Sequence, residues 1–84
     1  MRAYFITFRS VTFAQRGEST LRRAGINCAL QRTPKWMEER GCGYSLSVRQ
    51  QDAFRTVQLL RERQVPYRKV YAQTDGGSVE EVEL

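Results

Sequence analysis

Hydrophobic residues along the chain follow two periods, one typical of strands and one typical of helices, which alternate from segment to segment. Residues 4–8, Tyr-Phe-Ile-Thr-Phe, are aromatic or β-branched and largely apolar on both faces, which predicts a central strand. Apolar residues then recur at helical spacing, after Ser10 or Thr12 as the cap and before a terminating Gly25. Gly17 inside this helix indicates either close contact with a sheet or simple tolerance.

The second part of the chain repeats this alternation. Residues 26–30 and 44–48 alternate apolar and polar positions and predict two half-buried strands. Residues 53–60 carry an apolar stripe at helical spacing, which Asp52 precedes and Pro66 follows. Residues 67–72 then predict a fourth strand.

The order βαββαβ predicts an α+β fold of the ferredoxin-like type. With right-handed crossovers it gives a four-stranded antiparallel sheet that carries two helices on one face. We assign this domain to residues 1–72 and expect residues 73–84, which are acidic and poor in apolar residues, to form a mobile tail. A chain of 84 residues buries only about 60–65% of its unfolded surface, so its chemistry should lie at the surface.

Charge is distributed unevenly. The net charge is +5, all 14 Lys and Arg lie in residues 1–72, and residues 73–84 hold four acids and no base. A basic body suits nucleic acid or an acidic protein partner, although such charges also commonly form a solvated face. No apolar run approaches the roughly 20 residues that span a bilayer, and no signal-type core follows Arg2. We therefore expect a cytoplasmic protein with no membrane partner.

The segment Gly41-Cys42-Gly43 is the strongest candidate for chemistry. Its glycines let the backbone of another molecule approach the thiol, and the neighbouring Arg40 favours the thiolate. The alternative is an ordinary Gly-rich turn that contains a cysteine. Because the chain has no histidine, it can form neither a Cys-His catalytic pair nor a Cys/His zinc site, and we expect no metal.

The predicted topology separates the two cysteines. Cys42 should lie partly exposed at the end of the sheet where the first helix begins, and the positive end of that helix favours a thiolate. Cys28 alternates with Ile26 and Leu30, so it should be largely buried at the opposite end. A disulfide needs Cα atoms within about 7 Å, and we expect none between these two residues.

Several segments together resemble the selenium/sulfur carrier-like family of small bacterial domains. They are residues 14–18 (Ala-Gln-Arg-Gly-Glu), Leu21, residues 24–26 (Ala-Gly-Ile), the corner at 33–35 (Thr-Pro-Lys) and the Cys-Gly at 42–43. The likeness runs in one order from Tyr4 to Ala72. Two departures are the charged residues 38–40, where the family usually has small residues, and Arg49, where it tends to have a helix-capping aspartate.

The resemblance implies a carrier and not a turnover enzyme. Cys42 would hold sulfur or selenium as a persulfide or selenenyl sulfide, which it would receive from a protein donor such as a cysteine desulfurase and pass to an acceptor of unknown identity. Arg40 would stabilise the anion, and Gly41 and Gly43 would give access to it. No resident cofactor is expected beyond this transient group.

Two other functions fit parts of the sequence. A basic βαββαβ domain is the scaffold of RNA-recognition motifs, and residues 40–44 follow the start of their third-strand signature. Cys42 and Ser47, however, occupy positions where stacking rings would be expected. A non-catalytic protein-interaction domain is the other alternative, because Trp36 and Met37 form an apolar pair in the long connection before Cys42.

Overall fold

The structure of the protein is a computed structural model that describes residues 3–33, 43–73 and 76–84. Its helices and strands follow the chain in this order: β1 (Ala3–Phe8), α1 (Val11–Arg23), β2 (Cys28–Arg32), β3 (Tyr44–Arg49), α2 (Gln50–Glu62), β4 (Val70–Gln73) and β5 (Val79–Val82). Neither helix in these ranges is long and apolar enough to cross a membrane. The first six elements confirm the predicted order βαββαβ.

The strands form one antiparallel sheet with the order β2-β3-β1-β4-β5. β3 pairs with both β1 and β2, so that Tyr44 lies opposite Phe8 on one side and Arg32 on the other. Since β1 and β2 are each antiparallel to β3, they run parallel to one another. Both helices contact β1, β3 and each other, which places them on the same side of the sheet. The predicted α+β class is confirmed.

The predicted number of strands is wrong, because β5 adds a fifth strand at the edge of β4. Val82 and Leu84 pack against the core, Lys69 Nζ lies 3.6 Å from Glu81 Oε1, and Arg61 Nη2 donates a hydrogen bond to the carbonyl oxygen of Leu84 at 2.9 Å. An edge strand tolerates charged side chains, so the glutamates here are compatible with pairing. The mobility of residues 73–84 stays a prediction.

The core lies between the sheet and the two helices, and α1 approaches the sheet most closely at Gly17. Ile6, Phe8, Leu21 and Leu46 are fully or almost fully buried. A Cβ atom added at Gly17 would lie 3.0 Å from Phe8 Cζ and 3.1 Å from Leu46 Cδ1. The helix therefore approaches the sheet closely at Gly17, which favours close contact over simple tolerance of glycine.

We predict that Gly17→Ala destabilises the protein. Alanine gains about 1 kcal/mol of helix propensity, but an extra methyl group in a tightly packed core costs about 1–3 kcal/mol. The net loss should be about 1 kcal/mol in the free energy of unfolding, measured by urea denaturation. The same substitution in a Phe8→Leu background should cost less, because the nearest ring atom is gone. A more stable Gly17→Ala protein would contradict the close contact.

We also predict that a chain ending at Gln73 is less stable than the full chain by about 2 kcal/mol. The loss follows from exposing core surface that half-buried Val82 and Leu84 cover. Val82→Ala should reproduce about half of it, whereas Glu80→Gln, at an exposed position, should change the free energy of unfolding by less than about 0.5 kcal/mol. An unchanged urea midpoint after truncation would show that β5 contributes nothing to stability.

Candidate functional site

The candidate site is the end of the sheet at which the connection from β2 to β3 leaves and returns. Gly43 is the one predicted site residue within the described ranges. Arg40, Gly41 and Cys42 lie outside them, as do Trp36 and Met37. The described surroundings of Gly43 therefore define what this end of the sheet offers to a thiol.

Gly43 is buried and held in place by the strand that precedes the connection. Its carbonyl oxygen accepts a hydrogen bond at 3.0 Å from the backbone N–H of Thr33, the residue that follows β2. This bond continues the ladder between β2 and β3 by one step beyond the pair of Arg32 and Tyr44. The point where residues 34–42 rejoin the sheet is thereby fixed.

The start of α1 lies at this same end of the sheet, as the sequence predicted. Phe8 lies opposite Tyr44, so Arg9 and Ser10 follow β1 on the side where Gly43 precedes β3. Ser10 is the N-cap, and its Oγ accepts a hydrogen bond from the N–H of Phe13 at 3.4 Å. The first turn contains no acidic residue, so no side chain within it neutralises the positive end of the helix.

Two arginines that the sequence interpretation missed also lie at this end. Arg9 follows β1 and Arg32 ends β2, and both are exposed. The guanidinium carbon of Arg32 lies 6.0 Å from the centre of the Tyr44 ring, at the limit of a cation–π contact. The predicted parallel direction of β1 and β2 could have revealed these arginines, because parallel strands bring their last residues to the same end of a sheet. Together with the start of α1, these side chains make the end of the sheet electropositive.

This end of the sheet also contains hydrogen-bonding groups that no described residue satisfies. Thr33 lies across from Gly43, directly after β2, and Ser45 lies two residues after Gly43, in β3. The hydroxyls of both residues are buried, and neither has a hydrogen-bond partner within the described ranges. A buried hydroxyl without a hydrogen bond costs about 1–3 kcal/mol. Both groups can therefore gain free energy from a hydrogen bond to a group brought to this end.

Cys28 occupies the opposite end of the sheet, where it lies across from Val48. It is a free thiol. Burial raises the pKa of the Cys28 thiol, as does the negative charge of Glu18, while the Arg22 guanidinium opposes both through its charge and a hydrogen bond. At neutral pH Cys28 is accordingly protonated and a poor nucleophile.

The prediction that Cys28 is largely buried is wrong, because it is only half-buried. β2 is an edge strand, so β3 covers Cys28 from one side only. The thiol borders an open cleft of about 370 Å³ at this end of the sheet, which is lined by Ala3, Asn27, Cys28, Ala29, Ser47, Val48 and Arg49. Within the described ranges no three Cys, Asp or Glu side chains come together as a metal site requires.

The open face of the sheet does not offer the base-stacking surface of an RNA-recognition motif on β3. Tyr44 pairs with Phe8, which packs against Gly17 of α1, so Tyr44 lies on the helix side. Ser45 and Ser47 lie on the other side of β3, where Ser45 is buried and Ser47 is half-buried. The aromatic residues on the described open face are Phe5 and Tyr71, which lie opposite each other on β1 and β4 and are half-buried.

Comparison with protein families finds a match over most of the chain. The family described as "Putative Se/S carrier protein-like" matches residues 3–72, a range that starts at β1 and ends one residue before the end of β4. Neither the comparison with curated proteins nor the comparison with solved structures finds a match. The matched range includes Cys42 and Gly43 and, of the described helices and strands, all but β5 and the last residue of β4. The chain therefore belongs to the Se/S carrier protein-like family.

Proposed function

We propose that this protein carries sulfur or selenium on the thiol of Cys42 and transfers it between partner proteins. The observation that carries the proposal is membership of the Se/S carrier protein-like family over residues 3–72, a range that contains a single Cys-Gly pair. The electropositive end of the sheet, to which Gly43 belongs, supports it independently. We also assign the arrangement of β1 to β4 to the ferredoxin-like type, with β5 as an addition.

The transfer consists of two exchange reactions at sulfur. The Cys42 thiolate attacks the terminal sulfur of a persulfide on the donor, the sulfur–sulfur bond of the donor breaks, and the donor leaves as a thiolate with the electron pair. Cys42 then carries the terminal sulfur as its own persulfide. An acceptor nucleophile attacks that terminal atom, and Cys42 leaves as a thiolate. Selenium follows the same steps through a selenenyl sulfide, and neither step needs an external oxidant or reductant.

The described residues favour the anions that both steps require. Arg9, Arg32 and the start of α1 place positive charge at the end of the sheet where the Cys42 connection rejoins it, and positive surroundings stabilise a thiolate. The unsatisfied hydroxyls of Thr33 and Ser45 add hydrogen-bonding capacity. Arg40 contributes further charge in the sequence next to Gly41, and the two glycines leave room for the backbone of a partner.

The partners follow from this chemistry. A donor must itself present a persulfide, as a cysteine desulfurase does, and the acceptor must present a nucleophile. Exchange of this kind suits the reducing cytoplasm, where thiols are kept free. The protein releases what it receives without converting it, so we assign it as a carrier and not as a turnover enzyme.

We predict that incubation with a cysteine desulfurase and cysteine adds the mass of sulfur to the protein, as measured by intact-mass spectrometry under nonreducing conditions. Cys42→Ala should abolish the addition, because the accepting thiol is absent. Cys28→Ala is the matched control and should load like the wild type, since the Cys28 thiol is protonated at neutral pH. Loading that persists in Cys42→Ala, or that is lost only in Cys28→Ala, would disprove the role of Cys42.

We predict further that Cys42 is alkylated before Cys28 across a pH series, as followed residue by residue by mass spectrometry. The Cys28 profile should have its midpoint above about 8.5, the value of an unperturbed cysteine, because burial and Glu18 raise its pKa. Glu18→Gln should lower that midpoint, since it removes a negative charge that disfavours the thiolate.

The Cys42 midpoint should rise in the double variant Arg9→Gln/Arg32→Gln, which removes positive charge from its end of the sheet. Arg49→Gln, at the opposite end, serves as the control and should leave it unchanged. Cys42 reacting no faster than a thiol in an unfolded peptide would identify residues 41–43 as an ordinary turn.

A further inference from the structure

A polar groove lies on the helix side of the protein, away from the open face of the sheet. One face of α1 supplies its wall through residues at helical spacing, namely Thr12, Gln15, Arg16, Ser19, Thr20 and Arg23. Arg63 and Val65, at the end of α2, complete the lining. The groove has a volume of about 380 Å³ and is open to solvent.

The groove is strongly positive. Arg16, Arg23 and Arg63 are exposed, and within the described ranges none of them forms a salt bridge. The lining contains no acidic residue. Arg22 lies on a different face of α1 and, unlike the groove arginines, forms a salt bridge with Glu18 at 3.1 Å. The three arginines of the groove are therefore free to bind an external anion.

Local structure sets where the three arginines leave the backbone. The guanidinium carbon of Arg16 also lies 6.0 Å from the centre of the Phe13 ring, at the limit of a cation–π contact. Arg63 is the C-cap of α2, and the turn after it is closed by hydrogen bonds from the N–H groups of Gln64 and Val65 to Arg61 and Leu60. Arg16 and Arg23 are two helical turns apart on one face, or about 10.5 Å along the axis. The result is a row of charges along α1, with Arg63 facing it from α2.

The chemistry of the lining selects among anionic partners. Interfaces between proteins usually centre on aromatic or apolar anchors, and the groove offers no aromatic residue. Guanidinium, hydroxyl and amide groups are instead the side chains that contact phosphate and sugar in nucleic-acid complexes. Thr12, Ser19 and Gln15 can also both donate to and accept from a ribose 2′-hydroxyl, the group that distinguishes RNA from DNA. Thr20 can only accept, because its hydroxyl donates to the carbonyl oxygen of Arg16 at 2.9 Å.

We propose that this groove binds the phosphate–ribose backbone of RNA without reading its sequence. The mode differs from that of an RNA-recognition motif, because it uses the helix side and involves no stacking of bases on the sheet. Because the groove does not include Cys42, RNA binding can be tested separately from the transfer of sulfur or selenium. Thr12, at the start of the groove, lies in the first turn of α1, so RNA bound there would reach the end of the sheet to which Gly43 belongs.

The test measures binding of fluorescein-labelled single-stranded oligouridylate RNA by anisotropy over a range of salt concentrations. Each phosphate contact to single-stranded nucleic acid contributes about 0.7 to the slope of log affinity against log salt. The variant Arg16→Gln/Arg23→Gln/Arg63→Gln should therefore lower the slope by about two and weaken binding about 100-fold at about 0.1 M salt. The control Arg22→Gln/Arg49→Gln/Arg68→Gln removes the same charge outside the groove and should weaken binding much less.

Four results would overturn the proposal. They are equal losses of affinity in the two triple variants, displacement of the RNA by polyglutamate at equal charge concentration, tighter binding of DNA of the matching sequence, and binding that persists at high salt.

Chemical shifts of the wild-type protein provide a test that needs no variant. On addition of RNA they should change along residues 12–23 and at Arg63, and changes confined to Phe5 and Tyr71 would place the RNA on the sheet instead.

Discussion

The pairing of β3 with both β1 and β2 is the constraint on which the rest of the site depends. It forces β1 and β2 to run parallel, and parallel strands bring their last residues to one end of the sheet. Arg9, Arg32 and Gly43 are collected there for this reason, although they are far apart in the sequence. The first turn of α1 follows directly from the end of β1, so its positive end joins them.

α1 connects the core with both proposed functions. Its inner face, formed by Ala14, Gly17 and Leu21, is buried against the sheet, and glycine at the centre permits the close approach to Phe8. Its outer face carries Arg16 and Arg23 of the groove. Because the two faces are fixed on one rigid helix, the orientation that buries the inner face also determines where the groove and the start of the helix lie.

The sequence predicted those features that depend on local spacing. Ser10 as a cap, Gly25 in the left-handed conformation after α1, and the buried spacing from Ala14 to Leu21 are all present. Cys28 was misjudged because alternation reveals the face of a residue but not whether its strand is at an edge. β5 was missed because an edge strand needs few apolar residues, and two valines among glutamates carry little signal. The positive end depends on the long-range pairing of β1, β2 and β3, and the groove depends on the position of Arg63 beside α1; no local pattern encodes either arrangement.

The central claim is that Cys42, and not Cys28, holds the transferred atom. Nonreducing peptide mass spectrometry of the protein isolated from its own cells, with thiols and persulfides trapped by alkylation at lysis, tests it most directly. We expect a fraction of the peptide containing Cys42 to carry an additional sulfur or selenium atom, while the peptide containing Cys28 carries none. An additional atom on Cys28, or only unmodified thiol on Cys42 in cells supplied with both elements, would contradict it.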